Sequence, residues 1–119
     1  MNMLVVDDES ATRRLVAYTL KSMNVEVTGV ENSTEAMQIA RENAFELILL
    51  DINLPGMDGF TLLQTLRTLP HLIDVPIIMF TARSNPNDEM RASELGASGF
   101  LYKPFTTQEL RAMVTAYLM

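Results

Sequence analysis

The sequence predicts an α/β protein of the doubly wound class, a five-stranded parallel sheet with five helices. Three observations predict it. Short β-like apolar runs at residues 3–6, 25–30, 46–50, 75–80 and 99–102 alternate with longer segments of helical period, and that alternation builds parallel sheets. The third and fourth runs are apolar almost without break, as central strands covered on both faces require. At 119 residues and 48% hydrophobic, residues 1–119 fit one domain with a single core, without linker, repeat or low-complexity tract.

Each element has a local reason. The first run ends in Asp7-Asp8, and Ser10 is the expected cap of the helix that follows. Asn32 or Ser33 caps the second helix. The third run ends in Asp51, before the turn-like Leu54-Pro55-Gly56-Met57-Asp58-Gly59. The fourth ends in Thr81; Asn85-Pro86 opens the next helix and Gly96 closes it. After the fifth run comes Lys103-Pro104, then Thr106 with Glu109 three residues on, a capping box. Leu110, Met113, Val114, Tyr117 and Leu118 form one apolar stripe on the last helix that should pack on the sheet.

Lys+Arg 9 against Asp+Glu 15 gives a net charge of -6, which repels a phosphate backbone, so direct nucleic-acid binding is not expected. The absence of cysteine removes disulfides and thiolate metal sites. Apolar runs are strand-sized and no signal-peptide pattern opens the chain, so the expectation is a cytoplasmic protein without a membrane span.

In doubly wound sheets ligands bind outside the carboxyl ends of the strands, where Asp7, Asp51, Thr81 and Lys103 all fall. Carboxylates at Asp7, Asp8 and Asp51 against one ammonium leave such a cluster net negative, which a divalent cation would neutralise. Oxygen ligands without His or Cys favour Mg²⁺.

The ordered set Asp7-Asp8, Asp51, Thr81-Ala82 and Lys103-Pro104-Phe105 resembles the response-regulator receiver domain. The loop from Leu54 to Gly59 and the stretch Gly96-Ala97-Ser98-Gly99-Phe100-Leu101-Tyr102 extend the likeness over essentially the whole chain. Each motif alone is weak; the ordered set is specific. The resemblance implies a flavodoxin-like sheet of order 2-1-3-4-5 and a signalling domain that catalyses only its own phosphorylation and dephosphorylation. By resemblance, Asp51 accepts a phosphoryl group from a histidine kinase or histidine phosphotransfer protein. Asp8, Asp51 and the Asn53 carbonyl would ligate Mg²⁺, with Asp7 acting through water, while Thr81, Lys103 and the Ala82 N–H meet the phosphoryl oxygens.

The resemblance further implies a cis Lys103-Pro104 bond and a readout surface on the fourth helix, fifth strand and fifth helix. That surface would address a downstream effector protein or an output domain and leaves room for a phosphorylation-dependent homodimer. Phe100 stands at the switch aromatic position, where Tyr is frequent, so burial remains available to it and a hydroxyl contact does not. Asn53 and Arg83 border the path of the attacking water.

Blander readings compete at each position. Asp7-Asp8 alone could be acids favoured at a helix start, and Asp51 a turn former. Thr81 suits a strand and Lys103 an exposed surface, so their joint placement carries the weight. Phe100 is most often a packed aromatic, on the face opposite Leu101 and Lys103. Arg13 and Arg14 are expected to solvate the first helix rather than steer a partner, and a lone His71 makes a poor metal site. A haloacid-dehalogenase-type hydrolase needs a second Asp two residues after its nucleophile, where this chain has Asn53. A flavin carrier needs a phosphate cradle that Asp7-Asp8 would repel. The alternative that stays open is a phosphorylation-independent interaction module of the same fold, and a standalone regulator and part of a longer one are equally compatible.

Overall fold

The computed structural model describes residues 1–82 and 85–118. Strands form where aliphatic side chains run together: β1 (Asn2–Val6), β2 (Glu26–Val30), β3 (Leu47–Asp51), β4 (Ile77–Thr81) and β5 (Gly99–Tyr102). They pair in parallel in the order β2-β1-β3-β4-β5, as expected. β1 starts and β4 ends one residue beyond the expected run, β3 lies one residue later, and the starts of β2 and β4 move for backbone reasons. β2 starts after Val25, whose N–H turns back to the Leu20 carbonyl. β4 starts after Pro76, which has no N–H to give a ladder but whose carbonyl accepts from Ile48.

Among the described residues four helices connect the strands, α1 (Ser10–Lys21), α2 (Ser33–Glu42), α3 (Gly59–Leu66) and α4 (Pro86–Glu94), with a 3-10 turn at Pro70–Leu72, and α5 (Thr107–Leu118) follows the last strand. The expected single core is divided by the sheet. Met3, Val5, Leu47, Leu49, Ile78 and Phe80 face Val16 and Leu20 of α1 and Leu110 and Val114 of α5. Leu4, Val6, Ile48, Leu50, Ile77 and Met79 face α2, α3 and α4, against Ala36, Leu63, Leu66 and Ala92 among others. Strand side chains alternate between faces, so neighbouring residues feed opposite layers.

Most helix ends follow their residues. Asn32 accepts the Glu35 N–H, resolving the cap of α2 in its favour, and Asn85 accepts from Asn87 with Pro86 in the first helical position. Thr106 and Glu109 form the reciprocal capping box at 3.0 Å each way. Gly96, at φ 103°, ends α4: its N–H donates to Ser93 and that of Ala97 to Ala92, a paired closure that needs the left-handed conformation. Ser10 is a correction. It is the first helical residue, Glu9 occupies the cap position without a side-chain cap, and the Glu9 N–H is taken by Asp7 instead. Of the α5 stripe, Leu110 and Val114 are buried, whereas Tyr117 is partly exposed with its hydroxyl on the Ser98 carbonyl.

At the end of the sheet away from the strand carboxyl termini, half-buried Arg67 ties three segments. Its guanidinium donates to the carbonyls of Leu72 (2.8 Å), Val75 (2.6 Å) and Gly96 (2.8 Å). A planar fork of five donors suits several fixed carbonyls at once.

Candidate functional site

Strand parity and register assemble the site. Asp7 and Asp51 each lie one residue beyond the paired Val6 and Leu50, so the two acids stand side by side at the ends of β1 and β3. Asp51 pairs with Phe80 and Phe80 with Leu101. Lys103, two residues past Leu101 on the same face, extends back over the Phe80 ring, 4.7 Å from its centroid. Its ammonium reaches Asp7 Oδ2 at 2.7 Å and Asp51 Oδ2 at 3.3 Å. Thr81 has the opposite parity and rises from the other face of β4, where its hydroxyl accepts from Asn53 Nδ2 at 3.4 Å.

Burial sets the electrostatics. Asp7 is fully buried and Asp51 is 4% exposed, whereas Asp8 is exposed. Burial pushes the Asp51 carboxyl from the ordinary 3.8 up to about 6, against the opposing pull of Lys103 and the Asn53 N–H, with the charge of Asp7 adding to the rise. For Lys103, burial works against the charge, but the hydrogen bond to Asp7 and the charges of Asp51 and Asp7 carry the net shift upward. The Asn53 N–H donates to Asp51 Oδ1 at 3.1 Å, which fixes the carboxylate plane.

Oxygen atoms of Asp7, Asp8 and Asp51 lie within 4.8 Å of one another. Three hard oxygen donors converging at one net-negative edge fit a small divalent cation of the Mg²⁺ type. The backbone beneath is tight: a Cβ on Gly59 would overlap the Asp51 carbonyl and come within 2.6 Å of Ile52 Cα, so the first turn of α3 sits directly on the chain that carries Asp51. Asp58 caps that turn by accepting from Thr61.

The structure brings Asp7, Asp8, Asp51, Asn53, Thr81 and Lys103 to one edge, with the Lys103-Pro104 bond cis. Phe100 lies on the face of β5 opposite Lys103, half-buried, its ring 5.1 Å from that of Tyr102. The Tyr102 hydroxyl donates to Glu89 on α4 at 2.9 Å. Arg83 lies outside the described residues. Arg13 is a further correction: rather than only solvating α1, it is half-buried, lies over Gly29, and donates to the Asp7 carbonyl at 2.6 Å. Arg14 stays exposed. His71 sits in the 3-10 turn before β4, at the sheet's other end, with Nε2 2.6 Å from the Ala40 carbonyl.

The sequence reading did not single out Glu9, whose Oε1 lies 3.3 Å from the Lys103 ammonium. The signal was present, a third acid directly after Asp7-Asp8. Phe80, the floor under Lys103, reads as an ordinary core residue from sequence.

A doubly wound sheet with an acid pair, a lone buried acid, a threonine and a lysine at its switch point defines a flavodoxin-like α/β domain with an anionic, cation-ready edge. Residues 3–115 match the model of the response regulator receiver domain, and the chain belongs to that family, the receiver domains of two-component signalling. It is 37% identical over 118 residues to the transcriptional regulatory protein HprR of Escherichia coli, covering 99% of this chain and 52% of that protein. To the phosphate regulon transcriptional regulatory protein PhoB of Pseudomonas aeruginosa it is 36% identical, covering 97% and 50%. The chain thus spans about half the length of the curated relatives it matches. Among solved structures, the chemotaxis protein CheY4 of Vibrio cholerae superimposes with a TM-score of 0.93 at 31% identity, covering 98% of each chain. No helix among the described residues is long and apolar enough to cross a membrane.

Proposed function

We propose that residues 1–119 act as a phosphoacceptor domain in the cytoplasm, taking a phosphoryl group onto Asp51 from a phosphohistidine on a histidine kinase or histidine phosphotransfer protein. The observation that carries this reading is the Lys103 ammonium bridging buried Asp51 and Asp7 at the ends of two central strands. A structural ion pair has no need of two buried acids for one base, and an excess of buried negative charge is costly unless it serves something.

Asp51 attacks phosphorus through a carboxylate oxygen. The P–N bond of the donor breaks as the O–P bond forms, and the imidazole nitrogen keeps the electron pair. Lys103, the Thr81 hydroxyl and the Ala82 N–H donate to the phosphoryl oxygens as charge spreads over them. Asp8, Asp51 and the Asn53 carbonyl would hold Mg²⁺, with Asp7 acting through water; when bound, the ion supplies the positive charge that the cluster lacks. Hydrolysis of the acyl phosphate resets the domain, so the chemistry is confined to its own modification. The altered state is read on α4, β5 and α5 by an effector protein, an output domain or a second copy, with Phe100 as the switching ring. Contact between that ring and Tyr102, and between Tyr102 and Glu89, supports a route from β5 to α4.

Intact mass after incubation with acetyl phosphate and Mg²⁺ tests the reading. A single phosphoryl adduct, lost in Asp51→Asn and with chelator, is the expected result. No adduct under any condition, with no Mg²⁺ binding, would demote the protein to a phosphorylation-independent interaction module.

A further inference from the structure

Lys103 has three acidic neighbours among the described residues, and the third differs from the others. Asp7 and Asp51 are buried, whereas the Glu9 side chain is 64% exposed and reaches the ammonium from the solvent rim at 3.3 Å. Its backbone is anchored: the N–H donates to Asp7 Oδ1 at 2.9 Å and the carbonyl accepts from Arg13 N at 3.3 Å at the start of α1. Among the described residues the carboxylate end has no such anchor beyond Lys103. Glu9 also borders a cavity of about 350 Å³ shared with Ala82, Lys103 and Phe105.

We propose that Glu9 is a positioning residue that also selects among phosphoryl donors. Its carboxylate draws the Lys103 ammonium toward the rim, and it places a negative charge beside the path of an incoming phosphoryl group. The inference rests on Asp51 being the phosphoacceptor. Each donor phosphoryl oxygen that claims Lys103 must displace Glu9, and a donor of higher negative charge is repelled more. Small dianionic donors are therefore disfavoured relative to donors of lower charge with a nitrogen leaving group. In the transfer, the donor's bond to phosphorus breaks with the electron pair leaving on its oxygen or nitrogen, and the Asp51 O–P bond forms. Glu9 takes no part in bond making.

The test compares phosphorylation rates of the full chain with Mg²⁺, using acetyl phosphate, a dianion, and phosphoramidate, which carries less net charge, in wild type, Glu9→Gln and Glu9→Asp at low and high salt. One carboxylate several ångströms from a dianion in partly screened solvent corresponds to about three- to fivefold in rate. Glu9→Gln is expected to load from acetyl phosphate faster by that factor, with a smaller gain for phosphoramidate, and the difference should shrink at high salt. Glu9→Asp, whose shorter arm keeps the charge, should stay near wild type with acetyl phosphate. A purely structural role for Glu9 would move neither donor preference nor salt dependence. Unchanged or slower loading of Glu9→Gln from both donors, or a gain equal for both and indifferent to salt, overturns the proposal while leaving Asp51 as acceptor. Failure of wild type to load from either donor overturns both readings.

Discussion

Asp51→Asn is expected to stabilise the metal-free protein at neutral pH. The buried Asp51 carboxyl titrates at about 6 rather than 3.8, so the fold disfavours its charged form. Shifting a carboxyl that far corresponds to at most about 3 kcal/mol. The folded state binds the proton more tightly than the unfolded chain, so stability falls as pH rises from about 4 to about 6 and is level above that. Asparagine is nearly isosteric, keeps an oxygen for the Asn53 N–H, and carries no charge to bury. The variant should therefore exceed wild type by roughly 1–3 kcal/mol at pH 7.5 and match it near pH 4. Urea unfolding in the presence of chelator at the two pH values measures the difference, read from midpoints at constant slope. A variant less stable than wild type at pH 7.5, or a gap of the same size at pH 4, would refute the reasoning, because the Lys103 attraction would then outweigh the cost of burial.

Millimolar Mg²⁺ should raise the wild-type melting temperature and narrow that gap, since only the folded edge gathers the three carboxylates, and the shift should be smaller in Asp51→Asn. Gly59→Ala should cost about 3 kcal/mol or more in a thermal melt, because its Cβ has only backbone to displace, and should impair any chemistry at Asp51 along with stability. Arg67→Ala should cost about 1–3 kcal/mol, chiefly by leaving the part-buried Leu72 and Val75 carbonyls unpaired; Arg67→Lys should rescue little, since one ammonium cannot span them, as chemical unfolding will report. Thr106→Ala, which opens the capping box of α5, should cost about 1 kcal/mol in the same assay.

What the sequence made legible, and what it hid, divides by the range of the interactions. Strand residues such as Leu47 to Leu50 announce a buried central strand through composition alone, and Asp51, Thr81 and Lys103 are conspicuous because polar groups end such runs. Asn32, Asn85 and the Thr106 and Glu109 pair act within a turn, so their spacing suffices. Arg67 was invisible because its partners lie from five to 31 residues away and are mostly carbonyls, which every residue possesses. Arg13 was misread because a rule about exposed charge knows nothing of Gly29, whose missing side chain makes room for the arginine stem. Ser10 failed as a cap because the helix begins one residue earlier, with the Arg13 N–H on the Glu9 carbonyl, which leaves Ser10 inside the first turn.

Alternation along the strands gives the site a property that neither helical layer has by itself. Asp7, Asp51 and Lys103 belong to the row facing α1 and α5, and Thr81 to the row facing α2, α3 and α4, yet Asn53 and the backbone bond from the Lys103 N–H to the Thr81 carbonyl join the rows at the rim. Elsewhere the sheet keeps two hydrocarbon layers apart, and repacking one need not disturb the other. At this edge Asn53 holds Asp51 through its N–H and Thr81 through its side-chain amide, so a displacement in one row is passed to the other.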